Sequence, residues 1–541
     1  PDNTIIIRGI SSIKNNAEPL FVVDGNVVSS IDYIVPNEVK SISVLKDAAA
    51  AAIYGAQAAN GVVLITTKKG GKTLAVDYNF QYGTGRLVDK IDVFSADEYR
   101  NIIQQYRPGD VSKLGTANTN WQDEIYRRTD LVENTLTVKG SLFKKIPTRL
   151  SVGNTYQEGL RLTSSYNRNS ANLAMNPNFF EDHLKLKLNA NLSNENNRFA
   201  DGVEGGAIRF DPTKPVYDAN SAYGGFFQYT DANGVALNGV NRNPVAALLQ
   251  RKNITEVNRI FGNFELDYKF HFFEDMRAVV NVGWDKSKGS GSNELSKESP
   301  DGQRNGNTTA ILTNGSFTEF TSERENTLLD AYLVYSKSLE NFRAEVTGGY
   351  SYQKFTGSSF SSKDYRRYND AGNQNNYYTE TDVVLIGFFG RANLTFNEKY
   401  LVTLSYRRDG TSRFSEDNRW GNFPAAAIAW KIKDESFLKD SKTFSDLKLR
   451  ASWGITGNDN IPSYGWDQTY NVGLDYFLGT NSIVSAVAIT QLTNSSIRWE
   501  KVEQYDIGLD AGFFRNRLSV TADYFKRMSS DVLYGNFPIP A

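Results

Sequence analysis

The 541-residue sequence contains no cysteine, so disulfide bridges, thiolate metal sites and thiol nucleophiles are excluded. Histidine is almost as scarce. His183 and His271 are the only two, too few for a histidine metal cluster and poorly placed for a Ser-His-Asp arrangement. No charge sign is in excess: 60 Lys and Arg face 61 Asp and Glu, for a net charge of -1. Nucleic-acid binding would call for a basic surplus concentrated on one face, and none is present. Apolar runs of roughly 18 residues are also lacking, which excludes a helical membrane span. Mean hydropathy is -0.46, but this does not exclude membrane-crossing strands, because alternating faces dilute their apolar signal. No leader precedes Pro1-Asp2-Asn3, and we read its absence as truncation or processing. Gly202 to Gly206 fits neither a P-loop nor a dinucleotide fingerprint, and Asn458-Asp459-Asn460 lacks calcium-loop spacing. Asp97-Glu98 and Asp123-Glu124 read as solvated carboxylates. Neither an enzyme, a metal nor a cofactor is expected.

What is abundant is aromatic: 29 Tyr and 32 Phe bring the aromatic share to 13%. Two styles of sequence follow one another. Residues 1–72 read as a small α+β unit, with apolar strands at Ile5-Ile6-Ile7, Leu20 to Val23, Val39 to Leu45 and Val62 to Thr67. Asp24-Gly25 and Asn60-Gly61 are turn dipeptides whose glycines supply positive φ. Lys46-Asp47 opens an alanine run over Ala48 to Ala52, which predicts a helix that Gly55 stops.

Residues 73–541 read as long strands of period two. In Leu184-Lys185-Leu186-Lys187-Leu188-Asn189-Ala190-Asn191-Leu192 one face is wholly apolar and the other wholly polar, as a wall between lipid and an aqueous lumen requires. Tyr400 to Arg407 and Leu447 to Trp453 repeat the scheme, and the apolar series tend to end in Tyr, Phe or Trp. About fourteen strands of roughly 9–13 residues are expected, near the length of a tilted membrane-spanning strand. Short turns such as Asn397-Glu398-Lys399 and Phe514-Arg515-Asn516 alternate with long loops at 196–257, 287–325, 356–383 and 457–503. That asymmetry suits a barrel with short periplasmic turns and long external loops. The competing reading is a soluble multi-stranded β-protein. It fits the strand lengths poorly, since soluble strands average about 5–6 residues.

Arg8-Gly9, Pro19 to Gly25 and Val39 to Gly70 closely resemble the SusC/RagA family of TonB-dependent outer-membrane transporters of Bacteroidetes. The stretch from Ser43 to Gly70, with Lys46-Asp47, Tyr54-Gly55 and Asn60-Gly61, is similar to the family's plug pattern almost residue for residue. Further likeness lies at Tyr406 to Phe414, Asn418 to Pro424, Leu447 to Gly454 with Thr456-Gly457-Asn458, and Trp499-Glu500-Lys501. The resemblance implies an all-β transmembrane barrel, 22-stranded in the family and partial here, with a small α+β plug at the N-terminus. It also implies a bacterial outer-membrane location. A leader, a TonB-box segment and the last hairpins of the family pattern are missing, so the sequence predicts an internal fragment whose barrel does not close in the usual way.

The resemblance implies energised import of a large nutrient, an oligosaccharide or peptide, beneath a SusD-like surface lipoprotein. The TonB-ExbB-ExbD complex would act through a TonB box absent from this chain. The alternatives are a receptor that signals ligand presence and a passive porin. The plug motif residues are Arg8, Gly9, Asp24, Gly25, Lys46, Asp47, Tyr54, Gly55, Asn60 and Gly61. Arg8 stands out, since its guanidinium suits charge-assisted bonds to carboxylates on the inner wall, although a strand-end arginine needs no such role. Candidate ligand or lid contacts are the loop aromatics Tyr217, Tyr223, Phe227, Tyr229, Tyr365, Tyr368, Tyr377, Tyr464, Trp466 and Tyr470. Their alternative is packing of the loops themselves.

Overall fold

A computed structural model describes residues 5–9, 18–28, 30–31, 34–47, 52–237, 239–300, 315–364, 375–477 and 483–533. The first four strands are β1 (Leu20–Val23), β2 (Asn26–Val28), β3 (Val39–Leu45) and β4 (Val62–Thr67), and they form one small sheet in the order β2-β1-β4-β3. β1 and β2 are an antiparallel hairpin closed by Asp24 and Gly25. Both turn residues have positive φ, 51° and 91°, the geometry of a two-residue type I′ turn. Asn60-Gly61 precedes β4, and Gly61 sits at φ 88° with the Leu45 carbonyl 2.9 Å from where a Cβ would lie. Most of the alanine run lies outside the described residues. Its described end is not the expected α-helix but short 3-10 turns at Ala52–Tyr54 and Ala56–Asn60. Between them Gly55 holds φ 80°, a value no α-helix passes through.

The remaining chain builds an antiparallel sheet of 16 strands. Its strands in chain order are β5 (Ala75–Gly85), β6 (Thr129–Leu142), β7 (Ile146–Glu158), β8 (Ser165–Met175), the two-residue β9 (Asn178–Phe179) and β10 (Leu184–Phe199). Then come β11 (Arg251–Lys269), β12 (Met276–Leu295), β13 (Ser316–Ser338), β14 (Phe342–Asp364) and β15 (Asn375–Phe396). β16 (Tyr400–Thr411), β17 (Trp420–Lys431) and β18 (Phe444–Asn458) follow. A separate hairpin, β19 (Thr469–Phe477) with β20 (Ile483–Gln491), rises from the loop before β21 (Glu500–Phe513) and β22 (Leu518–Ser530). Neighbours in sequence are neighbours in the sheet, and β5 and β22 are its two ends.

Periodicity under-counted these strands. β8 is Asn- and Ser-rich, so its alternation is faint. β17 carries Pro424, which sits one residue beyond the β17–β18 ladder that begins at Ala425, where a missing N–H costs little. The long loops also prove shorter than expected, because β12 to β15 run on for 20–23 residues. Their upper ends keep the ladder after apolar alternation has ceased.

The wall has inverted polarity. On β10 and β11, Leu192, Ile260 and Phe264 are 38–49% exposed, whereas the inward Asn263 is 1% exposed. Leu186 pairs with Leu266, Leu188 with Phe264 and Leu192 with Ile260 across the outer face. A water-soluble sheet would bury that face instead. Aromatic pairs ring the short-turn end: Phe342 with Phe396, Tyr400 with Trp430 and Phe444 with Phe513. Glu435, in the turn after β17, accepts from Tyr400 Oη (2.7 Å) and Trp430 Nε1 (3.0 Å). A second ring lies farther up, where Tyr350, Phe388 and Trp420 meet. From Phe396 to Phe388 is roughly 27 Å along the strand, or about 20 Å across a wall tilted by ~40°. That is close to the height of an apolar band in an outer membrane.

Candidate functional site

The small sheet sits against the inner, polar face of the wall, and discrete polar contacts make the seam. Glu38, at the end of a 3-10 turn beginning with Pro36, is buried against β7. Arg149 grips it with both guanidinium ends, Nη2 at 2.9 Å from Oε1, and Ser151 Oγ donates to Oε1 at 2.8 Å. Thr137 on β6 completes the cluster through Ser151 at 2.8 Å. The hairpin turn docks on β11 and β12. Asn263 Nδ2 donates to the Asp24 carbonyl (3.0 Å) and Asn281 Nδ2 to the Gly25 carbonyl (3.3 Å). Asn26 Nδ2 reaches back to the carbonyls of Gly262 and Trp284, both at 3.1 Å. Glycine at 283 makes this approach possible, since a Cβ there would lie 2.5 Å from Asn26 Oδ1.

Arg8 has φ 56° and precedes Gly9 at φ 88°. This backbone turn sends the guanidinium to Asp506 on β21, with Asp47 at 3.0 Å and the Lys46 carbonyl at 3.1 Å. The ring of Phe525 lies 5.2 Å beneath it. Gln504 joins through the Lys46 carbonyl at 3.2 Å. On the opposite side Arg407 of β16 donates to the Ile53 carbonyl (3.2 Å) and to Asp409 (2.6 Å). Gly55 is required there, because a Cβ would stand 2.9 Å from Arg407 Nε. Tyr54 is half-buried; burial, helped by the nearby Asp330 carboxylate, raises its hydroxyl above the ordinary value. Asp24 accepts from the Thr67 backbone N–H at 2.9 Å and from its hydroxyl. Desolvation raises its carboxyl pKa even so, outweighing the Thr67 bonds and the nearby Lys69 and Lys187.

The motif residues therefore gather along one seam: Arg8, Asp24, Gly25, Lys46, Asp47 and Gly55 all meet wall residues or groups that do. Asn60 and Gly61 instead stay within the small sheet, where Asn60 Nδ2 donates to the Glu18 carbonyl at 3.3 Å. Sequence reasoning missed Glu38, Asn26, Arg149, Asn263, Asn281 and Arg407. All but Glu38 and Asn26 are polar residues at inward strand positions. Parity placed them on the lumen face, but only the fold shows which of them meets the small sheet.

Two long connections, 86–128 and 200–250, fold together on the long-loop side. Trp121, Ile125, Val203, Phe210, Val216, Phe226 and Leu248 form their common core. A capping box starts the helix Ala96–Tyr106: Ser95 accepts from the Glu98 N–H while Glu98 accepts from the Ser95 N–H. That bond pulls the Glu98 carboxyl below its usual range. Four of the loop aromatics lie in this unit. Tyr223 is 3% exposed and spends its hydroxyl on Gly234 and Ala236. Phe227 and Tyr229 pack edge-to-face at 5.2 Å beneath the Lys214 ammonium. Tyr217 is exposed and leans on Phe226. Tyr377, Tyr464 and Tyr470 are exposed, and Trp466 is half-buried. Tyr365 and Tyr368 lie outside the described residues.

Above β1 and β2, facing the long loops, a cavity of about 690 Å³ opens between Leu20, Val27 and Val28 below and the upper wall at the side. Arg324, Phe355 and Thr381 line it from β13, β14 and β15, with Arg413 and Asn460 from the loops after β16 and β18. Its size suits a ligand of several rings.

With this geometry in hand, kinship can be stated. Residues 191–540 match the TonB dependent receptor-like beta-barrel family, and residues 2–62 the TonB-dependent receptor plug domain. The chain is 35% identical to the TonB-dependent receptor SusC of Bacteroides thetaiotaomicron, over 98% of this chain and 55% of that protein. It is 31% identical to the TonB-dependent receptor P3 of Formosa agariphila, over 99% and 53%. The chain thus spans about half the length of these relatives. Among solved structures, the RagAB peptide transporter superposes with a TM-score of 0.82 at 22% identity, covering 99% of this chain and 64% of that one.

Proposed function

Because this chain belongs to the TonB-dependent receptor family of outer-membrane β-barrels, we propose that it supplies the plug and part of the wall of an energised nutrient importer. The observation that carries this reading is the polar seam. Ion pairs and amide-to-carbonyl bonds exchange readily for water, so a plug held mainly by Arg8, Glu38, Asn26 and Arg407 can be displaced and re-seated. A plug fused to its wall by a continuous apolar core would resist such motion. In this mechanism a ligand enters from the long-loop side into the cavity above β1 and β2. Force on the N-terminal side, from the TonB-ExbB-ExbD complex, breaks the Arg8–Asp506 pair first because Arg8 lies nearest the point of pulling.

The ligand is a nutrient too large for porins, an oligosaccharide or a peptide. Peptide transport is what the name of the RagAB relative carries. A SusD-like lipoprotein covers the external face. The exposed Tyr217, Tyr377, Tyr464 and Tyr470 are the aromatics available to it or to the ligand. The deciding experiment compares nutrient uptake by cells carrying the full-length protein with and without its TonB box. Strong dependence is expected, and equal uptake would rule energised import out.

A further inference from the structure

Charges on the upper wall sort by face. The outward Lys286, Lys288 and Lys354 pair with the outward Glu325, Glu323 and Asp382 at 2.8–3.1 Å. The inward Arg324, registered against Gly357 and through it Thr381, has no carboxylate partner among the described residues. Arg413, the second guanidinium of the cavity, is only partly neutralised. Its Nη1 meets the Asp459 carbonyl at 3.2 Å and the carboxylate at 3.6 Å, while its Nε has no hydrogen-bond partner. Asp459 itself is turned toward Thr411, whose hydroxyl it accepts at 2.8 Å. No Asp or Glu lines the cavity. Around the two arginines lie one aromatic ring, Phe355, and the short polar side chains of Asn326, Thr356, Thr381, Asn460 and Ser463.

Resting on the import reading above, we propose that the cavity takes an acidic oligosaccharide and that Arg324 and Arg413 receive its ring carboxylates. A planar guanidinium binds a carboxylate through paired N–H donors. Amide and hydroxyl side chains match sugar hydroxyls, and a ring face such as Phe355 suits the apolar face of a pyranose. Two positive groups without a facing acid would leave a neutral glycan with nothing to neutralise them. An acidic peptide shares the charge but makes poorer use of five small hydroxyl and amide groups.

The test uses full-length protein purified from outer membranes with any lipoprotein that accompanies it. Calorimetry compares short oligomers of galacturonate, glucuronate and mannuronate with their carboxyl-reduced neutral counterparts, and with an acidic peptide of similar length. At least one uronate oligomer is expected to bind about tenfold more tightly than its reduced form, the worth of one charge-assisted contact in an open site. Arg324→Gln and Arg413→Gln should each abolish most of that preference, and Arg324→Lys should restore part of it. Arg343→Gln, at a distant turn, should leave it intact, and heat-modifiable migration on gels verifies that each variant is folded. Equal affinity for acidic and reduced glycans, binding of the peptide alone, no uronate binding, or unchanged behaviour of both glutamine variants would each overturn the inference. TonB-dependent uptake of a neutral glycan would overturn this inference and spare the import reading. Uronate binding without TonB-dependent uptake would do the reverse.

Discussion

Glu38 and Arg149 are both nearly excluded from solvent, with side-chain exposures of 5% and 8%. Removing one partner of such a pair strands a buried charge, which costs about 3–5 kcal/mol. Glu38→Ala should therefore loosen the plug strongly, seen as faster proteolysis at β3 and β4, while Glu38→Ala combined with Arg149→Met should recover much of the loss. A double variant as loose as the single one would show that the pair does not hold the seam. Asp24 makes a pH-dependent contribution of the opposite kind. Its carboxyl is raised in the folded plug, so the folded state binds a proton more readily than the unfolded chain. Its stabilising contribution is full below the ordinary carboxylate range and is lost as pH rises through the raised value. The melting-temperature difference between wild type and Asp24→Asn should accordingly shift in favour of wild type as pH falls from neutral. A difference that does not vary with pH would contradict the assignment.

At the scale of the strand, side-chain parity is the governing variable. Leu188 pairs with Phe264 in the middle of the outer apolar face. Leu188→Arg should destabilise insertion by ~2–4 kcal/mol if the site lies near the membrane midplane, as read from denaturant titration of folding into lipid vesicles. A negligible effect would mean that this face does not meet hydrocarbon. The external loop unit obeys ordinary soluble rules instead. Trp121 is 3% exposed, stacks 4.4 Å from Phe210 and donates from Nε1 to the Asp211 carbonyl at 3.0 Å. Trp121→Ala should cost that unit about 3–5 kcal/mol. Hydrogen exchange should then accelerate over 96–106 and 244–249 and stay unchanged in β11 to β14.

For the molecule as a whole, the two sheets are held by different forces. The wall is one continuous backbone ladder, whereas the plug meets it through separate side-chain contacts. Denaturant should therefore release the plug before the wall unfolds, giving two transitions by protease sensitivity and by far-ultraviolet dichroism. A single coincident transition would mean that the seam is as cooperative as the ladder.

Much of this was legible from residue order alone. Strand parity, as in Leu184 to Leu192, sets which side chains face outward, because alternation is local and needs no partner. The Asp24-Gly25 turn was equally legible, since positive φ is a property of the dipeptide. The upper strand ends were not, for a ladder above the membrane needs no apolar alternation and leaves no mark. Tyr223, Phe227 and Tyr229 could not be sorted from Tyr377 by composition, since burial in the loop core depends on two segments about eighty residues apart in sequence meeting in space. Likewise the pairing of Arg8 with Asp506, or of Glu38 with Arg149, joins residues far apart along the chain. Local sequence determined which face of each strand is polar, and only the closed-up fold decided which of those polar groups would touch the plug, pair with one another or be left facing the ligand cavity.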